Sequence, residues 1–97
     1  MDDRRQPAAE AGREATDRQF AAEVLDILVN AAGTEAVRRN LDLQLYRSQL
    51  LDSLQTVELI VAFEERFALE ISLAEFERED WATPRKIIFD LGRRKHR

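Results

Sequence analysis

Three stretches of this chain repeat apolar residues every three or four positions, and each repeat draws a stripe down one side of a helix. Phe20, Val24, Ile27, Leu28 and Ala31 make the first stripe. Thr56, Leu59, Ile60, Phe63 and Phe67 make the second, and Ile87, Ile88 and Leu91 the third. A helix with one apolar stripe has to bury it against a neighbour, so the pattern predicts an all-α fold, a small antiparallel bundle. The boundary signals agree. Thr16 or Asp17 can cap the first helix, and Gly33 can stop it. The second is expected over about residues 53–67. Thr83 and Pro84 supply a cap and a proline at the first position of the last helix. "SLAE" at residues 72–75 reads as a capping box and predicts a short helix over about 73–79. The expectation is a four-helix bundle of three main helices plus one short one.

Residues 34–52 form a long connection. Leu41, Leu43 and Leu45 alternate with Asp42 and Gln44 as a strand would. A lone strand cannot satisfy its backbone, so an extended loop that tucks leucines under the helices is predicted instead. Loops of this length are uncommon unless they have a function. Residues 1–16 are rich in charge and alanine without apolar periodicity, and are expected to be disordered. The expected organisation is an extension at 1–16, a helical domain at 17–92 and a basic tail at 93–97.

Composition narrows the classes of function. The 97 residues suit one small domain, and 44% are apolar, enough for a packed core without metals or disulfides. No cysteine is present, which excludes a disulfide framework, zinc ribbons and cysteine nucleophiles. No apolar stretch approaches the roughly 18 residues of a membrane span, and no signal-peptide core is visible. A soluble, cytoplasmic monomer is expected. Net charge is −4, but between Asp52 and Asp80 nine acids face only Arg66 and Arg78. Such a surface repels nucleic acid and attracts basic protein patches. The tail, "GRRKHR", reverses that sign, and a short tail of this kind is ordinarily just solvated. Its His96 has no partner in the sequence pattern that would make it a catalyst or a metal ligand. No Ser–His–Asp set, glycine-rich phosphate loop or metal cluster is visible. Glu64 and Glu65 are adjacent, so they point to different helix faces and make a poor acid–base pair. The chain is expected not to be an enzyme.

Ser53 lies between Asp52 and Leu54 at the start of the second helix. Taken alone it reads as a helix cap, a role Asp52 could fill equally well with Gln55 as its capping-box partner. The longer stretch "DSLQTVELIVAFEERF", Asp52 to Phe67, resembles the second-helix signature of acyl and peptidyl carrier proteins. The acid before the serine, the leucine after it, the T-V-E-L run and the paired acids before Phe67 carry the resemblance. Helix order and the long first loop extend it over roughly residues 18–92. It implies that Ser53 bears a covalent 4'-phosphopantetheine whose thiol carries acyl groups as thioesters. A phosphodiester would be favoured there, because a helix N-terminus has free N–H groups and a partial positive charge. Asp52 could help to position the modifying transferase or its metal ion. Leu54, Glu58, Val61 and Glu65, with Asp52 and Val57, would form the surface met by partner enzymes.

The segment "EISLAEFEREDWATPRKII" is similar to the D-alanyl carrier branch of that family, with Glu75, Phe76, Arg78, Trp81, Thr83 and Pro84 filling its pattern E-F-x-R-x-x-W-x-T-P. Trp81 itself reads as a core anchor before a cargo contact. The implied partners are a phosphopantetheinyl transferase, an adenylating aminoacyl ligase, and an acyltransferase or a polyketide or peptide synthase. Lys86 and Lys95 are the only lysines among 15 basic residues, a bias expected of a GC-rich genome. On that basis a stand-alone aminoacyl carrier in natural-product biosynthesis is the first expectation. The alternatives are a D-alanyl carrier for teichoic-acid D-alanylation, or a helical adaptor with no prosthetic group.

Overall fold

A computed structural model describes residues 5–95, with side chains described from residue 17 onward. Helix α1 spans Arg5–Ala32, α2 spans Ala36–Arg39, α3 spans Ser53–Phe67 and α4 spans Pro84–Lys95, with a 3₁₀ helix at Arg78–Trp81 before α4. No strand occurs among the described residues. The all-helical bundle is as expected, but the short elements differ. The predicted helix over 73–79 is a turn at 73–75 followed by the 3₁₀ helix. Buried Ile71 and Trp81 pin both ends of this segment to the core, and between them only Phe76 packs inward while Leu73 and the acids are exposed, too narrow an apolar stripe to hold an α-helix. A one-turn helix, α2, appears inside the long connection because Val37 is drawn fully into the core.

The start of α1 also differs, since the helix runs from Arg5 rather than from Thr16 or Asp17. Residues 5–16 are mostly Ala, Glu, Arg and Gln, strong helix formers, and Pro7 falls in the first turn, where its missing N–H costs nothing. Residues 1–4 and the tail residues His96 and Arg97 lie outside the described residues. At its other end α1 stops at Gly33, whose φ of 73° is left-handed and whose N–H reaches the Val29 carbonyl.

Helix α1 packs against α2, α3 and α4, while α4 also packs on the 3₁₀ helix. The core comprises Phe20, Val24 and Leu28 of α1, Leu59, Ile60 and Phe63 of α3, and Ile87 and Leu91 of α4, joined by Val37, Leu45, Leu51, Ile71 and Trp81. An aromatic chain threads it. Phe20 meets Phe67 at 4.8 Å, Phe63 meets Phe67 at 6.3 Å, and Phe63 and Phe76 each meet Trp81 edge-on, at 5.5 and 4.8 Å. Such pairs add about 0.5–1.5 kcal/mol each beyond simple burial. The connection between α2 and α3 is stitched down as well as tucked in. Leu45 donates its N–H to the Ala82 carbonyl, and Arg85 donates to the Leu41 carbonyl, so the loop is tied to the start of α4.

Candidate functional site

The site is built at the first turn of α3. Asp52 is its N-cap, in an extended backbone conformation. Its carboxylate accepts the Gln55 N–H at 2.9 Å, and the Gln55 side chain accepts the Asp52 N–H at 3.0 Å, which completes a capping box. The cap is therefore Asp52, and Ser53 is left at the first helical position with its side chain exposed. Gln55 has a second use. Its amide donates to the Ala31 carbonyl at 3.0 Å, so the start of α3 is fastened to the end of α1 and one orphan carbonyl there is satisfied.

Behind the serine, Thr56 is buried, and its hydroxyl donates to the Asp52 carbonyl at 2.7 Å. With that proton committed, the Tyr46 hydroxyl must be the donor in the 2.7 Å bond between Tyr46 and Thr56. Burial raises the Tyr46 pKa above its ordinary value, against the opposing pull of the Thr56 hydrogen bond and the Arg78 charge, so the phenol is neutral at pH 7. Over that ring, 5.0 Å from its centre, lies the Arg78 guanidinium. Arg78 also donates to Ser53 Oγ at 2.6 Å. An exposed hydroxyl at a helix N-terminus with a guanidinium beside it suits an anionic phosphodiester.

The remaining candidates fall along α3. Leu54 is 67% exposed, Val57 42% and Val61 46%, and Glu58 and Glu65 are exposed with them. Positions 54, 57, 58, 61 and 65 follow helical spacing, so they share one face, away from the buried Thr56, Leu59, Ile60 and Phe63. Glu64 is separate and structural: its carboxylate accepts the Ile71 N–H at 2.9 Å. Trp81 is fully buried and donates its indole N–H to Asp90 at 2.9 Å, so it is a core anchor. Among the described residues no group of three or more potential ligands could hold a metal ion.

Sequence reasoning missed the connection from Tyr46 through Arg78 to Ser53. The available signals were that Arg78 is a rare cation within a strongly acidic stretch and that it fills a position of the E-F-x-R-x-x-W-x-T-P pattern. Tyr46, directly after the alternating leucines of the long connection, offered none.

A family model described as the phosphopantetheine attachment site matches residues 22–88. The D-alanyl carrier proteins of Bacillus mycoides (strain KBAB4) and Bacillus cereus (strain B4264) are each 43% identical to this chain over 73 residues, 75% of this chain and 92% of the relative. The D-alanyl carrier protein of Bacillus anthracis (strain CDC 684 / NRRL 3495) matches to the same extent. These similarities favour the D-alanyl alternative over the natural-product expectation. With a family model covering most of its length and relatives at this identity, the chain belongs to the phosphopantetheine-bearing carrier proteins, in the D-alanyl carrier branch, and is a carrier rather than an enzyme.

Proposed function

We propose that the chain is an aminoacyl carrier that takes D-alanine from an adenylating ligase onto a 4'-phosphopantetheine on Ser53 and supplies it for teichoic-acid D-alanylation. The observation that carries this reading is the placement of Ser53. Its hydroxyl is exposed at the first position of α3, with the cap already supplied by Asp52 and a cation against its oxygen. A hydroxyl needed for capping would be turned into the helix, whereas this one is free to react. In the modification Ser53 Oγ attacks the pantetheine-side phosphorus of coenzyme A. The pyrophosphate bond breaks, adenosine 3',5'-bisphosphate leaves, and the hydroxyl proton passes to a base of the transferase. Once attached, the group supplies a thiol that holds the aminoacyl cargo as a thioester. Everything else the chain does is presentation: α3 offers the exposed face with Leu54, Val57, Glu58, Val61 and Glu65 for the transferase, the ligase and the acceptor enzyme, with Asp52 at its edge. A carrier domain at residues 17–92 encloses the matched segment 22–88.

The reading is tested in two steps. Incubation with a phosphopantetheinyl transferase and coenzyme A should add one phosphopantetheine to the wild type and none to Ser53→Ala, read by intact mass. Because the chain has no cysteine, the arm brings its only thiol, and thiol titration counts it independently. Modification of Ser53→Ala would remove Ser53 from the assignment. The holo protein should then be charged with D-alanine by an ATP-dependent adenylating ligase and should resist a malonyl transferase. Efficient charging with a different amino acid would return the protein to the natural-product reading, for which its arginine-heavy composition speaks.

A further inference from the structure

We propose that Arg78 is the residue that holds the root of the prosthetic arm, gripping the phosphodiester of the modified serine against the Tyr46 ring. The inference rests on the reading that Ser53 is the attachment site. It starts from a mismatch of charge. Arg78 sits among Glu75, Glu77, Glu79 and Asp80, yet among the described residues it forms no ion pair with any carboxylate. Its guanidinium instead lies over a neutral ring and donates to a neutral hydroxyl, 2.6 Å from Ser53 Oγ.

A guanidinium bonded to a hydroxyl is weakly matched, since the oxygen offers one acceptor site and no charge. Replacing the hydroxyl proton with a phosphodiester puts a negative charge and two further acceptor oxygens at the same place. A planar guanidinium can engage such a group through two N–H bonds, which a lysine ammonium cannot do in the same fixed plane. The helix N-terminus adds its own positive field. Asp52, the nearest acid in sequence, is turned away from the role of competitor because its carboxylate accepts the Gln55 N–H. The ring beneath Arg78 cannot drift, because the Tyr46 hydroxyl is tied to Thr56, and Thr56 to the Asp52 carbonyl.

The placement has a consequence for traffic at the site. Thr56 and Leu54 are two residues apart, about 200° around the helix. Tyr46 and Arg78 therefore hold the root of the arm toward the buried side of the first turn, away from Leu54. The root of the arm is ordered without covering Leu54, which stays open to partner enzymes. Arg78 is thus a positioning residue for the arm and has no part in the chemistry of the thiol.

The test uses holo protein prepared as wild type, Arg78→Gln and Arg78→Lys, each first shown by intact mass to carry one arm. Failure of the wild type to gain an arm would sink the attachment reading itself, and is distinguishable at this stage. Phosphorus NMR of the phosphodiester and proton cross-peaks between the arm's methyl groups and the Tyr46 ring are then recorded, with circular dichroism as the folding control. The wild type should show a broad phosphorus line and cross-peaks to Tyr46. In Arg78→Gln the line should narrow and the cross-peaks disappear with helix content unchanged, and Arg78→Lys should fall between the two. Because Arg78 is exposed, raising salt should narrow the wild-type line as well. That titration carries the test if the transferase will not accept Arg78→Gln. Equal line widths in wild type and Arg78→Gln, or a wild-type line indifferent to salt, would overturn the proposal. So would an Arg78→Gln protein that loses stability while its phosphorus line stays broad, since Arg78 would then be only a brace for the loop.

Discussion

Asp90 shows how much one polar residue can organise in a core this small. Its carboxylate is buried and accepts from Trp81 Nε1 at 2.9 Å, from Arg93 at 2.6 Å and from Arg94 at 2.9 Å. Burial alone would push its pKa up, but the hydrogen bonds from Arg94, Arg93 and Trp81 and the Arg94 charge outweigh it, so the group titrates below its ordinary value. A carboxyl whose folded pKa is depressed adds stability that is present above the unfolded value, about 3.9. That stability is lost as pH falls through the folded value. Asp90→Ala also leaves the indole N–H buried without an acceptor, which costs about 1–3 kcal/mol at neutral pH. Urea melts of wild type and Asp90→Ala should therefore differ at pH 7 and converge in part as the pH drops below 4. A difference that holds constant with pH would show that the carboxylate charge contributes nothing. Ala68 is a smaller case of the same kind. It ends α3 in the left-handed region, φ 54°, with its N–H on the Glu64 carbonyl. Only its methyl opposes that conformation, so Ala68→Gly should raise stability by about 1 kcal/mol, read from the denaturation midpoint.

At the scale of the element, α3 divides its two sides between different tasks. Thr56, Leu59, Ile60 and Phe63 hold the helix in the bundle, and the capping box with Gln55 sets where it begins. The other side leaves Leu54, Val57 and Val61 in water, flanked by Glu58 and Glu65. Apolar groups left exposed among acids fit a partner with a small apolar pocket rimmed by Arg or Lys. Each rim pair is worth only about 0.2–1 kcal/mol and acts mainly on encounter rate. Glu58→Arg adds repulsion to the lost attraction, so it should slow charging by the ligase more than Glu58→Gln does, and most at low salt. Leu54→Asp should slow it further by removing apolar burial beside the arm. Neither change touches the core, so circular dichroism should be unaltered. Charging of Glu58→Arg at the wild-type rate in low salt, or a slower rate accompanied by lost helix, would show that this face is not where the ligase docks.

For the molecule as a whole, the core converges on Trp81. It is fully buried, meets Phe63 and Phe76 edge-on, and bonds Asp90 on α4. Trp81→Ala should cost about 3–5 kcal/mol, a large part of the stability of any domain this size. Thermal unfolding followed by far-ultraviolet circular dichroism should show a much lower midpoint, with Trp81→Phe in between because it keeps one aromatic ring in the core while losing the rest of the indole's volume and its bond to Asp90. A small shift for Trp81→Ala would mean that the 3₁₀ segment is not part of the cooperative core. The three main helices were legible in the sequence because their information is local: spacing repeats within a few turns, Gly33 closes one end, and Thr83 and Pro84 open another. The same holds for Ser53, whose neighbours from Asp52 to Phe67 carry the family signature in one unbroken stretch. The short elements were not legible, because the capping pattern at Ser72 and Glu75 is a local preference overridden when Ile71 and Trp81 are drawn inward. The surroundings of Ser53 lay further beyond reach. Arg78 is 25 residues from Ser53 along the chain. Tyr46 lies 10 residues from Thr56, its hydrogen-bond partner. The chain by itself thus determined the helices and the family signature around Ser53, through patterns among near neighbours. Only the packing of the loop and the 3₁₀ segment against α3 decided which cation meets Ser53 and which ring backs that cation, because such contacts exist only once distant segments are folded together.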